Sequence, residues 1–353
     1  MKKWLYLGVV LILLFLIIFF VKQTKKEGVN NEVNNEVNKE INDKIRVGYN
    51  TESIMNASII VAHEKGFFEK NGISANLVPL KGGKEVRQAI VADQVDIGLG
   101  AFTNFMTAME VGAPIKFIAA SASSANMILV RPNENINKFE DLYGKKICSG
   151  IAGTSDIGFR IAMEKEGVDV NKMEFIDIER EFQVAALMTK KAVSAVVVSE
   201  QDVNMLTQAG AIILPEWESK GYSQSKMPRN QLAVNTDFLN SNQKTVEKFL
   251  DAYADAQKFI VANPEESARL ISEHIKEGSG GAVNHLPEKI VEDWKNKKIV
   301  NMIWDDPMIT IELAKKAKEM GLVEKELLLN DVFDLRFENK LKSLQAEIYG
   351  YEN

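Results

Sequence analysis

Between Val95 and Asn104 apolar and small or polar positions alternate: Val95, Ile97 and Leu99 are separated by Asp96, Gly98 and Gly100. This period of two predicts a short strand that runs into the small-residue turn Ala101-Phe102-Thr103-Asn104 and a new helix. The glycines leave room for a ligand or another backbone to approach. The same layout recurs. Ile45–Tyr49 reads as a strand, Asn50–Asn56 as a polar turn, and Ala57–Phe68 as a helix punctuated by Gly66 and Gly72. Ile73–Pro79 is a second strand, and Lys81-Gly82-Gly83-Lys84 opens a helix over Glu85–Asp93. Ile115–Ala120 is a further strand, followed by Ser121-Ala122-Ser123-Ser124. Strand and helix alternating at this short spacing predict βαβ units, a parallel sheet and an α/β fold.

A second set begins with the strand Asn126–Val130. Ser149–Asp156, SGIAGTSD, then opens a helix over Ile157–Glu166. Met173–Ile178 and Val193–Val198 read as strands, with Phe182–Thr189 a helix between them. Leu232–Thr236 resembles a strand returning to the first set, and Thr245–Ile260 is a strongly amphipathic helix. Helices starting at Asn263-Pro264 and over Ile309–Met320 are expected to pack on the first lobe, and Glu338–Asn353 reads as a peripheral tail.

Ligands of open α/β sheets sit outside the carboxyl ends of the strands. Three loops of the first set end a strand and begin a helix, so all are expected on one edge. They offer Thr51, Glu52, Ser53, Gly82, Gly83, Phe102 and Thr103 as candidate contacts, with Ser121 after the next strand. In the second set Gly153, Thr154 and Ser155 stand at a helix start, where unpaired N–H groups and the positive end of the dipole favour an anion. One of Thr154, Ser155 or Asp156 is expected to cap that helix. No Gly-Lys-Ser/Thr follows, so this is not a phosphate-binding P-loop. Glu200 and Asp202, after the strand Val193–Val198, complete the candidates.

Composition narrows the classes. The 353 residues are 46% hydrophobic and 26% charged, long enough for two ordinary domains. A net charge of -6 and the lack of a basic stripe argue against nucleic acid. Cys148 is the sole cysteine, so neither an internal disulfide nor a cysteine zinc site can form. His63, His274 and His285 are scattered without ligand spacing. No His-Cys-carboxylate constellation stands out, and no catalytic residue, metal or cofactor is assigned.

The N-terminus carries Lys2 and Lys3 before Trp4–Val21, 18 uncharged residues. The first alanine is Ala57, so no A-x-A cleavage signal follows the apolar run, and no cysteine stands ready for lipidation. Residues 1–22 are therefore read as an uncleaved transmembrane signal anchor. Residues 23–44, with the degenerate repeat NNEV-NNEV-NKEI, are read as a flexible tether. A tether of that length has an r.m.s. span of roughly 25 Å.

The runs IRVGY, AHEKGFFEKNGISANLVPLKGG and IVADQVDIGLGAFTNFMTAMEVGAPIKFIAA resemble the substrate-binding proteins of ABC importers. The resemblance is to the nitrate, sulfonate and taurine group, which shares its fold with thiamine-pyrimidine-precursor proteins. It covers about Ile45–Leu322, and EKGFFEKNGI, NTDFL and NPEE add to it. Two departures stand out: Tyr143 replaces the basic residue of the DLKGKK lead-in, and Glu200 lacks the aromatic and proline neighbours often found there. The resemblance implies a periplasmic-binding-protein-like fold of type II, with two α/β lobes joined by a hinge and a small ligand clamped between them. Lobe 1 is then residues 45–125 and 228–353, and lobe 2 residues 126–227.

Three functions are weighed. The first is a monomeric solute receptor, anchored in the cell membrane and facing outwards, that serves an ABC permease and its ATPase. The second is a thiamine-pyrimidine-precursor or related biosynthetic enzyme of the same fold. The third is a tethered sensor, against which stands the lack of an output module. The candidate loops hold Glu52, Glu200 and Asp202 but no arginine. That favours a ligand with donor groups, an aminopyrimidine or a zwitterion such as taurine, over a bare anion.

Overall fold

The computed structural model describes residues 43–350. The anchor expected at residues 1–22 and nearly all of the tether lie outside them. Among the described residues no helix is long and apolar enough to cross a membrane. The strands are β1 (Asp43–Asn50), β2 (Ile73–Leu80), β3 (Ile97–Gly100), β4 (Ile115–Ser124), β5 (Asn126–Val130), β6 (Lys146–Cys148), β7 (Glu174–Ile176), β8 (Ala195–Ser199), β9 (Ile212–Ile213), β10 (Met227–Asn235) and β11 (Ile299–Asn301). The principal helices are α1 (Ala57–Glu64), α2 (Phe67–Lys70), α3 (Gly83–Val91), α4 (Phe102–Glu110), α5 (Thr154–Lys165), α6 (Glu200–Gln208), α7 (Gln243–Ala262), α8 (Pro264–Gly278), α9 (Pro287–Lys295), α10 (Pro307–Glu319) and α11 (Glu338–Tyr349).

The strands form two sheets, β11-β4-β10-β3-β1-β2 and β7-β6-β8-β5-β9. Val47 pairs with Ile97 in parallel, as the βαβ reading requires. The larger sheet is nonetheless mixed. β10 enters between β3 and β4, antiparallel to both, with Leu232 opposite Leu99 and Ala119. Its partners lie more than a hundred residues upstream, so no local pattern announces them. The chain leaves the six-stranded sheet at Ala125 and regains it at Met227.

One face of the large sheet packs under α1, α7 and α8, where Phe68, Phe249 and Tyr253 stack at ring-centroid distances of 5.5 and 6.3 Å. The other face buries Phe105, Phe117 and Leu313. The small sheet is built on Phe139, Phe159 and Trp217, and the Trp217 indole donates to the Asn126 carbonyl at 2.9 Å. Gly98 serves packing rather than a ligand: a Cβ there would stand 2.3 Å from Val86 Cγ1, so its absence lets α3 settle on β3.

Three local expectations are corrected. The helix Ala57–Phe68 is two helices, because Gly66 at φ +68° cannot continue a right-handed turn. Phe182–Thr189 is a 3₁₀ turn at Arg180–Phe182 and a π turn at Ala185–Thr189. The peripheral tail is α11. Leu341 and Gln345 are fully buried, and Gln345 Oε1 accepts the Ile303 and Trp304 amides at 3.0 and 3.3 Å.

Asp305, beside that contact, has its carboxyl pushed up to about 6 from 3.8, chiefly by burial. A raised carboxyl holds its proton longer in the folded state, so stability falls as pH rises from 3.8 through 6 and stays lower above. Asp305→Asn is therefore expected to be more stable than the parent at pH 7, by about 2 kcal/mol. Urea denaturation across pH checks this, the two proteins converging below pH 4. Parallel curves at every pH would remove the Asp305 carboxyl as the cause.

Candidate functional site

A polar cleft of about 390 Å³ lies where the two sheets face each other. The six-stranded sheet supplies the loops after β1, β2 and β3, all at strand carboxyl ends: Asn50 and Ser53, Gly83, and Gly100, Ala101, Thr103 and Asn104. The five-stranded sheet supplies the loops after β6 and β8, with Ser149, Gly153, Thr154, Ser155, Ser199 and Asp202. Thr103 Oγ1 and Thr154 Oγ1 meet across the cleft at 3.4 Å.

The second-set loop is shaped by Asp156, which is fully buried. Its Oδ1 accepts from Ser149 Oγ at 2.9 Å and from Arg160 Nε at 3.0 Å, and its Oδ2 from the Ala152 amide at 3.0 Å. Arg160 in turn lies over the Phe175 ring at 3.9 Å. The expected cap is corrected: Gly153 stands at the N-cap, with no side-chain hydrogen bond. The first amides of α5 are thus left for a ligand, and the Thr154 and Ser155 side chains do not consume them.

Two arginines line the cleft that the candidate loops did not contain. Arg229 on β10 is buried. Its Nε donates to Ser124 Oγ at 2.9 Å, Nη1 to Ser155 Oγ at 3.1 Å, and Nη2 to the Ala125 carbonyl at 2.8 Å and to Asn126 Oδ1. Four of its five N–H groups are so engaged. Burial lowers this guanidinium to about 10, with Asp202 and Glu200 opposing, so it stays charged at neutral pH. Arg180 lies within the 3₁₀ turn and pairs with Asp202, whose Oδ2 also accepts from Ser199 Oγ at 3.2 Å. Gln183 adds an acceptor: its amide nitrogen donates to the Ile178 carbonyl at 3.1 Å, while its buried Oε1 has no partner among the described residues.

Of the residues expected from sequence, Ser53, Gly83, Thr103, Gly153, Thr154, Ser155 and Asp202 line this cleft. The others stand elsewhere, for identifiable reasons. Thr51 is buried beside Gly278, and Glu52 is exposed, its carbonyl accepting from His285 Nε2 at 3.2 Å. Gly82 is the N-cap of α3, one residue outside the lining. Phe102 is a core residue packed among Phe105 and Phe117. Ser121 Oγ donates to the Met55 carbonyl at 2.9 Å inside the protein. Glu200 is buried against Lys298 at 3.2 Å, and desolvation raises its carboxyl above the ordinary 4.5.

A larger cavity, about 770 Å³, lies at the amino ends of β1, β2 and β3. Its one buried carboxylate, Asp96, is occupied by Arg46. That is the wrong end of the strands for an α/β ligand site, so the smaller cleft is the candidate. Among the described residues no group of His, Cys, Asp and Glu is placed to hold a metal.

A family profile described as NMT1/THI5 like matches residues 54–267. The taurine-binding periplasmic protein of Escherichia coli is 21% identical over 222 residues, covering 63% of this chain and 68% of that protein. A putative thiamine biosynthesis protein of Haemophilus influenzae is 23% identical over 283 residues, covering 78% and 86%. The solved structure of the periplasmic aliphatic sulphonate binding protein SsuA from Escherichia coli superposes with a TM-score of 0.67 at 17% identity, covering 83% and 92%.

Proposed function

We propose, from the premise that this chain belongs to the NMT1/THI5-like family, that it is the solute-binding component of an ABC importer and captures one small polar ligand in the cleft between its two sheets. The observation that carries this is the convergence of strand-end loops from both sheets on one polar cavity. The lobes, residues 45–125 with 228–353 and residues 126–227, close about the crossings near Ala125 and Met227 and hold the ligand between them. Residues 1–22 anchor the chain and residues 23–44 tether it, with the binding unit outside the cell. A permease and its ATPase take the solute onward.

The lining sets the ligand's chemistry. Two guanidiniums, Arg180 and Arg229, face one carboxylate, Asp202. Glu52 and Glu200, which weighed against an anion, are not in the lining. The free amides of α5 and Arg229 suit a sulfonate, nitrate or carboxylate. Asp202 and Gln183 Oε1 suit a donor at the other end, so an aminosulfonate zwitterion of taurine's kind satisfies both. The alternative, an enzyme of pyrimidine biosynthesis, rests on the name of the Haemophilus relative. New product from an aminopyrimidine precursor would favour it.

Thermal unfolding with taurine, ethanesulfonate, nitrate and an aminopyrimidine tests the reading. The matching solute at a hundred times its Kd stabilises the protein by about 2.7 kcal/mol. Thr154→Ala with Ser155→Ala removes most of that shift. No stabilisation by any of the four sinks the assignment of ligand class.

A further inference from the structure

Helix α5 joins three places that matter for closure. Its first residues, Thr154 and Ser155, line the cleft. One turn later Gly158 lies against Asn126 and Met227, the first residues of β5 and β10, where the chain passes between the sheets. A Cβ at Gly158 would stand 2.4 Å from Asn126 Nδ2 and 2.3 Å from Met227 Sδ, so a larger residue would push both side chains aside. Asn126 Nδ2 also donates to the Ser155 carbonyl at 3.2 Å, fastening the helix to the crossing. Beyond it, Glu164 pairs with Lys316 at 2.6 Å and Lys165 with Glu312 at 3.1 Å. Lys316 and Glu312 belong to α10, which packs into the six-stranded half through Leu313, Ala314 and Ala317. A cavity of about 90 Å³, bordered by Gly158, Ile161, Lys165, Met227 and Glu312, lies behind the crossings.

We propose that α5 is a lever pivoting at Gly158, and that the ion pairs Glu164–Lys316 and Lys165–Glu312 at its far end oppose closure of the cleft. This rests on the reading above, that the cleft closes on a solute. A stiff helix held at one point moves its two ends in opposite senses. Thr154 and Ser155 lie about 6 Å before the pivot and Glu164 about 9 Å beyond it, at 1.5 Å per residue. Bringing Thr154 further into the cleft therefore draws Glu164 and Lys165 away from α10 and stretches both pairs. Exposed pairs are individually weak, which suits a bias of about two- to fivefold on an equilibrium rather than a lock.

The test uses the full-length chain with spin labels at Lys84→Cys and Glu179→Cys. Both positions are exposed and adjoin the cleft-lining Gly83 and Arg180, while Cys148 is buried. Pulsed electron paramagnetic resonance of the protein without added solute reads the separation across the cleft. Glu164→Lys with Glu312→Lys sets like charges against Lys316 and Lys165, and the distribution is expected to move to shorter distances. The charge swap Lys165→Glu with Glu312→Lys restores the parent distribution. An unchanged or longer separation in the repulsive variant overturns the proposal. Should that variant not fold, 1 M NaCl, which cuts the screening length to about 3 Å, must shorten the separation in the parent, and failure to do so overturns it equally. Taurine affinity, expected to rise about two- to fivefold in the repulsive variant, separates the readings. A shorter separation without taurine binding upholds the lever and removes the solute assignment, and the converse removes the lever alone.

Discussion

Replacing Arg229 with methionine is expected to abolish solute capture and to lower unfolding stability by about 3 kcal/mol. The side chain and three of its four partner residues are buried, so Ser124, Ala125 and Asn126 have no water to turn to. Ser124 Oγ, the Ala125 carbonyl, Asn126 Oδ1 and Ser155 Oγ would each lose a donor. Each buried group left unpaired costs on the order of 1 kcal/mol, and the methionine stem recovers part of the packing. These partners span the point where the chain crosses between the sheets, so the loss also loosens the joint. Arg229→Lys retains the charge but not the fork, and a single ammonium cannot reach all four partners. It is expected to keep more stability than methionine and still to bind poorly. Urea denaturation and titration calorimetry with taurine check both. A stability loss below about 0.5 kcal/mol, the size of an inert surface change, would show that the guanidinium holds nothing together.

Asp156→Ala should cost about 3–5 kcal/mol, the range for breaking a buried charge pair by removing one partner. The carboxylate is fully buried and orders the loop ahead of α5 through Ser149 Oγ, the Ala152 amide and Arg160. Ala152 is held at φ +67°, a left-handed conformation that alanine leaves when released. Without Asp156 the loop relaxes, and Thr154 and Ser155 no longer present their amides together. Hydrogen exchange at residues 150–155 should accelerate, and the stabilisation by solute should vanish. Asp156→Asn keeps the size and one acceptor oxygen, so its cost should be smaller. Wild-type protection of this loop in Asp156→Ala would refute the ordering role.

What was legible in the sequence is what a chain encodes over a few residues. Alternation at Val95–Leu99 located β3, and the apolar run Asn126–Val130 located β5 to the residue. Small residues after strands marked the loops that the structure brings to one cleft, from Ser53 through Thr103 to Ser155. The uncharged run Trp4–Val21 is likewise a local pattern, and it lies outside the described residues. The rest was decided by contacts between distant segments. Arg229 sits in the strand MPRNQLAVN with nothing in its neighbourhood to mark it, and it acts on Ser155, 74 residues away. Arg180 is one charged residue in an irregular turn until Asp202 faces it. Glu200 looked like a ligand residue because it follows a strand, yet the fold lays it against Lys298. Asp156, three residues into α5, orders the loop ahead of the helix only because the fold sets Ser149 Oγ, the Ala152 amide and Arg160 around it. Periodicity reports which face of an element is buried. It does not report what is buried opposite, and the charge of this cleft depends on that.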